Sequence, residues 1–201
     1  MEAKEYAMRA FLSMVSVVVA LVLQGCAGTD VAVNQTGQQS LRTLQLFKAD
    51  STPRFTFYLA CTSEDASCAT VEHAFFDWES DRHVTSRLVE ADDALFTSGI
   101  PSFGRNNDLP YRVAVRFVPL VVPSFTQIMG NQSTATGGYT PPKVGYTATI
   151  YVFDSATGKL LQELPAHEER TTTPHGHANG YIHSEVNTFL ARLDPAYSHQ
   201  P

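Results

Sequence analysis

Tyr146-Thr147-Ala148-Thr149-Ile150-Tyr151-Val152-Phe153-Asp154 is the stretch that decides the fold. Ala148, Ile150 and Val152 fall on one side of an extended chain, and Thr149, Tyr151 and Phe153 on the other. Apolar residues on both sides predict a strand in the interior of a sheet. Ser155-Ala156-Thr157-Gly158 then turns the chain: Gly158 can take positive φ, and Asp154 can accept hydrogen bonds from the turn backbone. Lys159 to Glu168 is expected to return as the partner strand.

Working outward, Arg54 to Cys61 alternates in the same way. Phe55, Phe57, Leu59 and Cys61 share one face, and Arg54, Thr56, Tyr58 and Ala60 the other. Tyr111 to Val118 repeats the pattern, with Tyr111, Val113, Val115 and Phe117 opposed to Arg112, Ala114, Arg116 and Val118. Pro119 and Pro123 follow, so this end should lie at an edge or a bend. Leu41 to Lys48 reads as a first strand, separated from the next by the turn residues Ser51-Thr52-Pro53. Val71 to Glu79, with Phe75, Phe76 and Trp78, reads as a strand or an extended entry to a helix, its aromatics directed to the core.

Two helices are expected. Val84, Leu88, Ala91 and Leu95 have helical spacing; Ser80 or Asp81 can cap the start, and Gly99 with Pro101 stops it. Gly180 to Leu193 places Ile182, Val186, Phe189, Leu190 and Leu193 on one face, with Asp194-Pro195 ending it. Thr126 to Val144 is rich in Gly, Ser, Thr and Pro and is expected to be a contact loop, and Thr171 to Asn179 a polar loop. The resulting fold class is α+β: an antiparallel or mixed sheet of about five to six strands packed with two main helices.

The N-terminus reads differently. An apolar run from Phe11 to Leu23 is shorter than the ~20 residues of a membrane-spanning helix and has the length of a signal-peptide core. Glu2 and Glu5 offset Lys4 and Arg9, whereas Met8-Arg9 would supply a short basic start, so Met8 is an alternative first residue. The run ends in Leu23-Gln24-Gly25-Cys26. This phrase resembles the lipobox of bacterial lipoproteins, in its aliphatic Leu23 and small Gly25, and departs from it in Gln24. The resemblance implies that Cys26 is lipidated and becomes the first residue of the mature chain. Ala27, where aspartate would favour inner-membrane retention, implies the outer membrane facing the periplasm. The boundaries are then 1–25 for a signal peptide, 26–40 for the lipidated cysteine and a flexible tether, 41–195 for one globular domain and 196–201 for a tail.

The hairpin phrase Asp154-Ser155-Ala156-Thr157-Gly158-Lys159 with its flanking strand resembles that of small periplasmic lipoproteins with curli-secretion-type or TolB-amino-terminal-type domains, over about a quarter of the chain.

The chain of 201 residues has a net charge of -6 and a sequence pI near 5.6, which gives no reason to expect a nucleic-acid partner. Of its three cysteines, lipidation of Cys26 leaves Cys61 and Cys68 to form a disulfide in an oxidising compartment. A redox or metal-binding pair is the alternative for those two, but the spacing is not Cys-x-x-Cys. Catalysis by Cys61 or Cys68 with His73 would require a free thiolate. No Gly-x-Ser-x-Gly elbow, phosphate loop or His-Glu-x-x-His helix is present. The metal-ligating candidates are His175 and His177, which point the same way in an extended chain, with His183 as a third ligand and His167, Glu168 and Glu169 nearby. The expectation is a non-enzymatic accessory lipoprotein, anchored to the membrane by lipid and bound to an envelope protein. The alternative is a small-ligand or divalent-metal module built on the histidines in 167–183.

Overall fold

The computed structural model describes residues 41, 43–63, 67–103, 109–129, 136–173 and 178–197. The chain divides into two units, 1–37 and 38–201, and all described residues lie in the second. Residues 1–40, on which the expected signal peptide, lipidated Cys26 and tether fall, therefore lie outside the described residues.

Strand β1 (Phe55–Cys61) leads into helix α1 (Ser67–Arg82), short strand β2 (Ser86–Leu88) and one-turn helix α2 (Leu95–Ser98). Strands β3 (Tyr111–Val122), β4 (Phe125–Met129), β5 (Thr136–Thr140), β6 (Lys143–Asp154) and β7 (Leu160–Thr171) follow, and helix α3 (Ala178–Leu193) ends the body. The main sheet has the order β2-β1-β3-β6-β7. β1 is parallel to both β2 and β3, whereas β3–β6 and β6–β7 are antiparallel, so this is a mixed sheet of the α+β class.

The alternation in the sequence sorts side chains onto two faces. Phe55, Phe57, Leu59, Val113, Val115, Phe117, Tyr146, Ala148, Ile150 and Val152 bury against α1 and α3. Tyr58, Ala60, Ala114, Tyr151 and Phe153 bury on the other face with Leu95 and Phe96 of α2. On the helix face the aromatics interlock: Phe75 lies 5.5 Å from Phe57 and 5.8 Å from Phe117, and Phe117 lies 5.5 Å from Phe189.

The β6–β7 turn forms as read. Asp154 Oδ1 accepts from Thr157 N at 2.8 Å and from the Thr157 hydroxyl at 2.6 Å, and Gly158 has φ +75°. The last helix also holds, with Ile182, Val186, Phe189, Leu190 and Leu193 all buried.

Four expectations are corrected. Leu41 to Lys48 is not a strand: Leu41 and Thr43 are helical, Gln45 has φ +48°, and only Phe47 bridges to Pro53. Its apolar residues Leu41 and Leu46 instead cap the helix-side core. Val71 to Glu79 belongs to α1, because Val71, Ala74, Phe75 and Trp78 fall on one helical face and are buried together, leaving Phe76 65% exposed. The helix expected from Ser80 to Gly99 does not form. His83 takes φ +53° and ends α1, β2 occupies Ser86–Leu88, and only Leu95–Ser98 is helical before Gly99. The stretch 126–144 carries the β4–β5 hairpin and the start of β6. Prolines 123, 141 and 142 lack the N–H that a continuous ladder needs, so β4–β5 separates from β3–β6 as its own small sheet. At Pro119 the neighbouring strand β1 has already ended, opposite Phe117, so the missing donor lies at a free edge.

Candidate interaction surface at the short edge strand

The β1–α1–β2 unit shapes one edge of the sheet. Cys61 ends β1 and Cys68 sits in the first turn of α1; the two are joined as a disulfide with their Cα atoms 5.7 Å apart. Closing so short a loop contributes about 2.5 kcal/mol on the loop-entropy model. It fixes where the helix leaves the strand, and it removes the thiolate that a Cys–His73 pair would need. The other end of α1 is fastened by Val84 N, which donates to Glu79 O at 2.9 Å, and by the Ser86 hydroxyl, which donates to the buried Glu79 carboxylate.

Between these fastenings three large apolar side chains stand exposed. Phe76 of α1 and Leu88 of β2 are 65% and 62% exposed, and Phe103 is 48% exposed. A groove of about 430 Å³ runs between α1 and β2, lined by Leu59, Ala69, Phe76, Ser86 and Leu88. A second groove continues past Leu88 to Val89, Asp93 and Phe103. Arg87 stacks over the Phe103 ring at 4.7 Å. Glu72, Glu90 and Asp93 border these grooves, together with His73 and Arg87, giving the apolar strip a margin in which carboxylates predominate.

The opposite edge, β7, is of another kind. It carries Pro165, Glu163, His167 and Glu169 within Leu160–Thr171. Lys143 Nζ donates to Glu169 at 2.6 Å, and Arg192 and Arg170 pair with Glu168 and Glu185. Proline and fixed charge are features that keep a sheet edge from pairing with another strand.

Burial pushes the Glu79 carboxyl above its ordinary value, and the bond from the Ser86 hydroxyl only partly opposes this. A carboxyl with a raised folded-state pKa stabilises most below the unfolded value, and that contribution is lost as pH rises through the folded value. Glu79→Gln keeps an acceptor for Ser86 and removes the ionisation. The variant is therefore expected to have a higher urea midpoint than wild type at about pH 8 and the same midpoint near about pH 4. A lower midpoint at the higher pH would contradict the assignment.

The histidines separate. His175 and His177 lie outside the described residues. His167 Nδ1 is 3.1 Å from the Thr147 hydroxyl on the adjacent strand. His183 sits on α3 with Nδ1 3.1 Å from Asn187 Nδ2 and Nε2 3.9 Å from Asp77 Oδ2. His73 Nδ1 is 3.2 Å from the same Asp77 oxygen. His183 thus approaches Asp77 of α1, a contact that the strand reading of 71–79 concealed; the i,i+4 spacing of His73 and Asp77 was the available signal. Among the described residues no helix is long and apolar enough to cross a membrane.

The class these features define is an α+β body with a five-stranded mixed sheet and an acidic-rimmed apolar strip at its short edge. No family model matches the chain, and no curated protein matches it. Solved structures do overlay on it. PelC from Paraburkholderia phytofirmans, crystallised as a dodecamer, shares 15% identity over 75% of this chain and 91% of its own, with a TM-score of 0.40. A putative neuraminyllactose-binding hemagglutinin homolog from Helicobacter pylori shares 6% over 76% and 86%, at 0.44. Lipoprotein GNA1162 from Neisseria meningitidis shares 11% over 71% and 99%, at 0.33.

Proposed function

We propose that this chain is a lipid-anchored lipoprotein of the bacterial envelope, held through Cys26 in the outer membrane and facing the periplasm. In this reading its α+β body is a non-enzymatic accessory that docks another envelope protein. The anchor rests on Leu23-Gln24-Gly25-Cys26 after its apolar run. Each buried CH₂ of an acyl chain contributes ~0.8 kcal/mol, so several chains hold a protein at the bilayer, where one is marginal. The observation that carries the docking reading is the exposed strip of Phe76, Leu88 and Phe103 along β2. Large apolar side chains gathered beside a sheet edge favour an extended segment of a partner, whose backbone pairs with β2 while its side chains fill the groove. The carboxylates of Glu72, Glu90 and Asp93 favour a segment bordered by lysine or arginine.

Two measurements test the two halves of the proposal. A palmitate analogue should label the wild-type chain in cells and leave Cys26→Ser unlabelled; equal labelling of both removes the anchor. A photo-crosslinking residue at Leu88 or Phe76 should capture an envelope protein in the intact cell, while the same residue at Glu163 on β7 should not. Capture at Glu163 alone would place the contact on the wrong edge. Catalytic turnover by the purified protein would overturn the accessory role.

A further inference from the structure

We propose that His73, Asp77 and His183 form a binding site for a divalent transition-metal ion of the zinc type, clipping α1 to α3. This lies beyond the docking role and uses a different donor set from the loop histidines His175 and His177. The ligand-bearing atoms of the three residues all lie within 4.8 Å of one another. His73 and Asp77 are one turn apart on α1, which puts both on one face; His183 reaches them from the second turn of α3. Zinc bonds of ~2.0–2.1 Å in a tetrahedron set neighbouring donors about 3.3–3.5 Å apart. The observed separations, 3.2 Å from His73 Nδ1 to Asp77 Oδ2 and 3.9 Å from His183 Nε2 to the same oxygen, bracket that spacing. A central ion would replace the proton between His73 and Asp77 and draw His183 in toward that pair. Two imidazoles and a carboxylate leave the fourth tetrahedral position to water, which the exposure of His73 admits.

A second observation points the same way. A metal-binding imidazole donates its other ring N–H to a fixed acceptor, which sets the tautomer. Asn187, one turn after His183, faces its Nδ1 at 3.1 Å, and Asn187 Oδ1 is buried without a hydrogen-bond partner. Amide oxygen and nitrogen are interchangeable by a half-turn of the side chain. With Oδ1 toward the ring, His183 Nδ1–H donates to it. The Nε2 lone pair then points at Asp77, and the amide NH2 takes the buried place that the oxygen leaves.

The test is zinc titration of the full chain in detergent by calorimetry, with thermal melting alongside. One zinc per chain should bind and raise Tm, as any ligand of the folded state does. His73→Ala, at an exposed position, should abolish both effects without changing the zinc-free Tm, and His183→Ala should abolish binding. Asn187→Ala should weaken binding about 10- to 100-fold, the usual consequence of losing an orienting partner. His175→Ala/His177→Ala should bind zinc as wild type does. Binding that survives His73→Ala and His183→Ala but is lost in the loop double variant would overturn the site in favour of the loop. Absence of binding up to about 1 mM zinc would overturn it outright.

Discussion

Asp194→Ala is expected to destabilise the body by about 3–5 kcal/mol, the cost of removing one partner from a buried ion pair. Asp194 follows the last residue of α3 and is 1% exposed. Its Oδ2 accepts from Arg82 Nε at 2.6 Å and from the indole N–H of Trp78 at 3.2 Å. Its Oδ1 accepts from Arg82 Nη2 at 3.1 Å and from Ala196 N at 3.2 Å. One carboxylate thus receives a two-pronged guanidinium from the end of α1, the indole of the largest core residue and the backbone that terminates α3. Alanine would strand the Trp78 N–H in the core and leave Arg82, among the described residues, with its stacking on the Phe47 ring, at 4.9 Å. Asp194→Asn retains acceptors and should lose less. Urea unfolding of wild type and both variants measures the order. A loss under about 1 kcal/mol for alanine would mean that the Asp194 carboxylate adds little to the joint between α1 and α3. Pairing Asp194→Ala with Arg82→Ala should give clearly less than the sum of the two single effects, because both remove the same contacts.

This joint was not legible in the sequence, and the reason is specific. Arg82 and Asp194 lie 112 residues apart and acquire meaning only once α1 and α3 are neighbours. That pairing depended on reading 71–82 as a helix. Phe75, Phe76 and Trp78 are strand-favouring side chains, and alternation at Phe76 and Trp78 mimics an extended chain. The competing signal, Val71, Ala74, Phe75 and Trp78 at helical spacing, was present but short. By contrast β1, β3 and β6 were legible because both faces are buried, so alternation was reinforced on each side of the sheet. The same misreading hid the candidate surface. With 71–79 extended, Phe76 counts as core; on α1 it faces out beside Leu88, and His73 and Asp77 come to share a helix face. The β4–β5 hairpin was hidden by composition, since Gly, Ser and Thr between 130 and 138 mask the strand residues on either side. The interior strand and its turn at Asp154 were legible because the requirement was local: a side-chain acceptor three residues before the hydroxyl and N–H that it binds.

Arg112→Ala is expected to be as costly as the loss of Asp194, about 3–5 kcal/mol, for a different physical reason. Arg112 is fully buried on β3, on the sheet face away from α1 and α3. Its Nη1 donates to Gly99 O at 2.8 Å and its Nη2 to Ser155 O at 2.8 Å. Those carbonyls belong to two separate turns, the end of α2 and the β6–β7 hairpin. The turns are pressed together there: Gly99 has φ +68°, and a Cβ on it would stand 2.1 Å from Gly158 O. The guanidinium therefore satisfies two inward carbonyls and clamps the turns that carry them. An ion pair in a core can be replaced by apolar residues at little cost when both partners are exchanged. Here the acceptors are backbone and cannot be exchanged, so Arg112→Met restores volume and still strands two carbonyls. Methionine should consequently recover only the cavity part of the loss, and lysine, whose ammonium lacks the planar fork, should fall short of arginine. Urea midpoints will order the chains as wild type, then lysine and methionine, then alanine. Amide exchange at Gly99 and Gly158, whose N–H groups bond Leu95 O and Asp154 O, should quicken in all three variants ahead of the β6 amides. Unchanged exchange at those two glycines, with a neutral methionine variant, would show that the turns hold each other without the clamp.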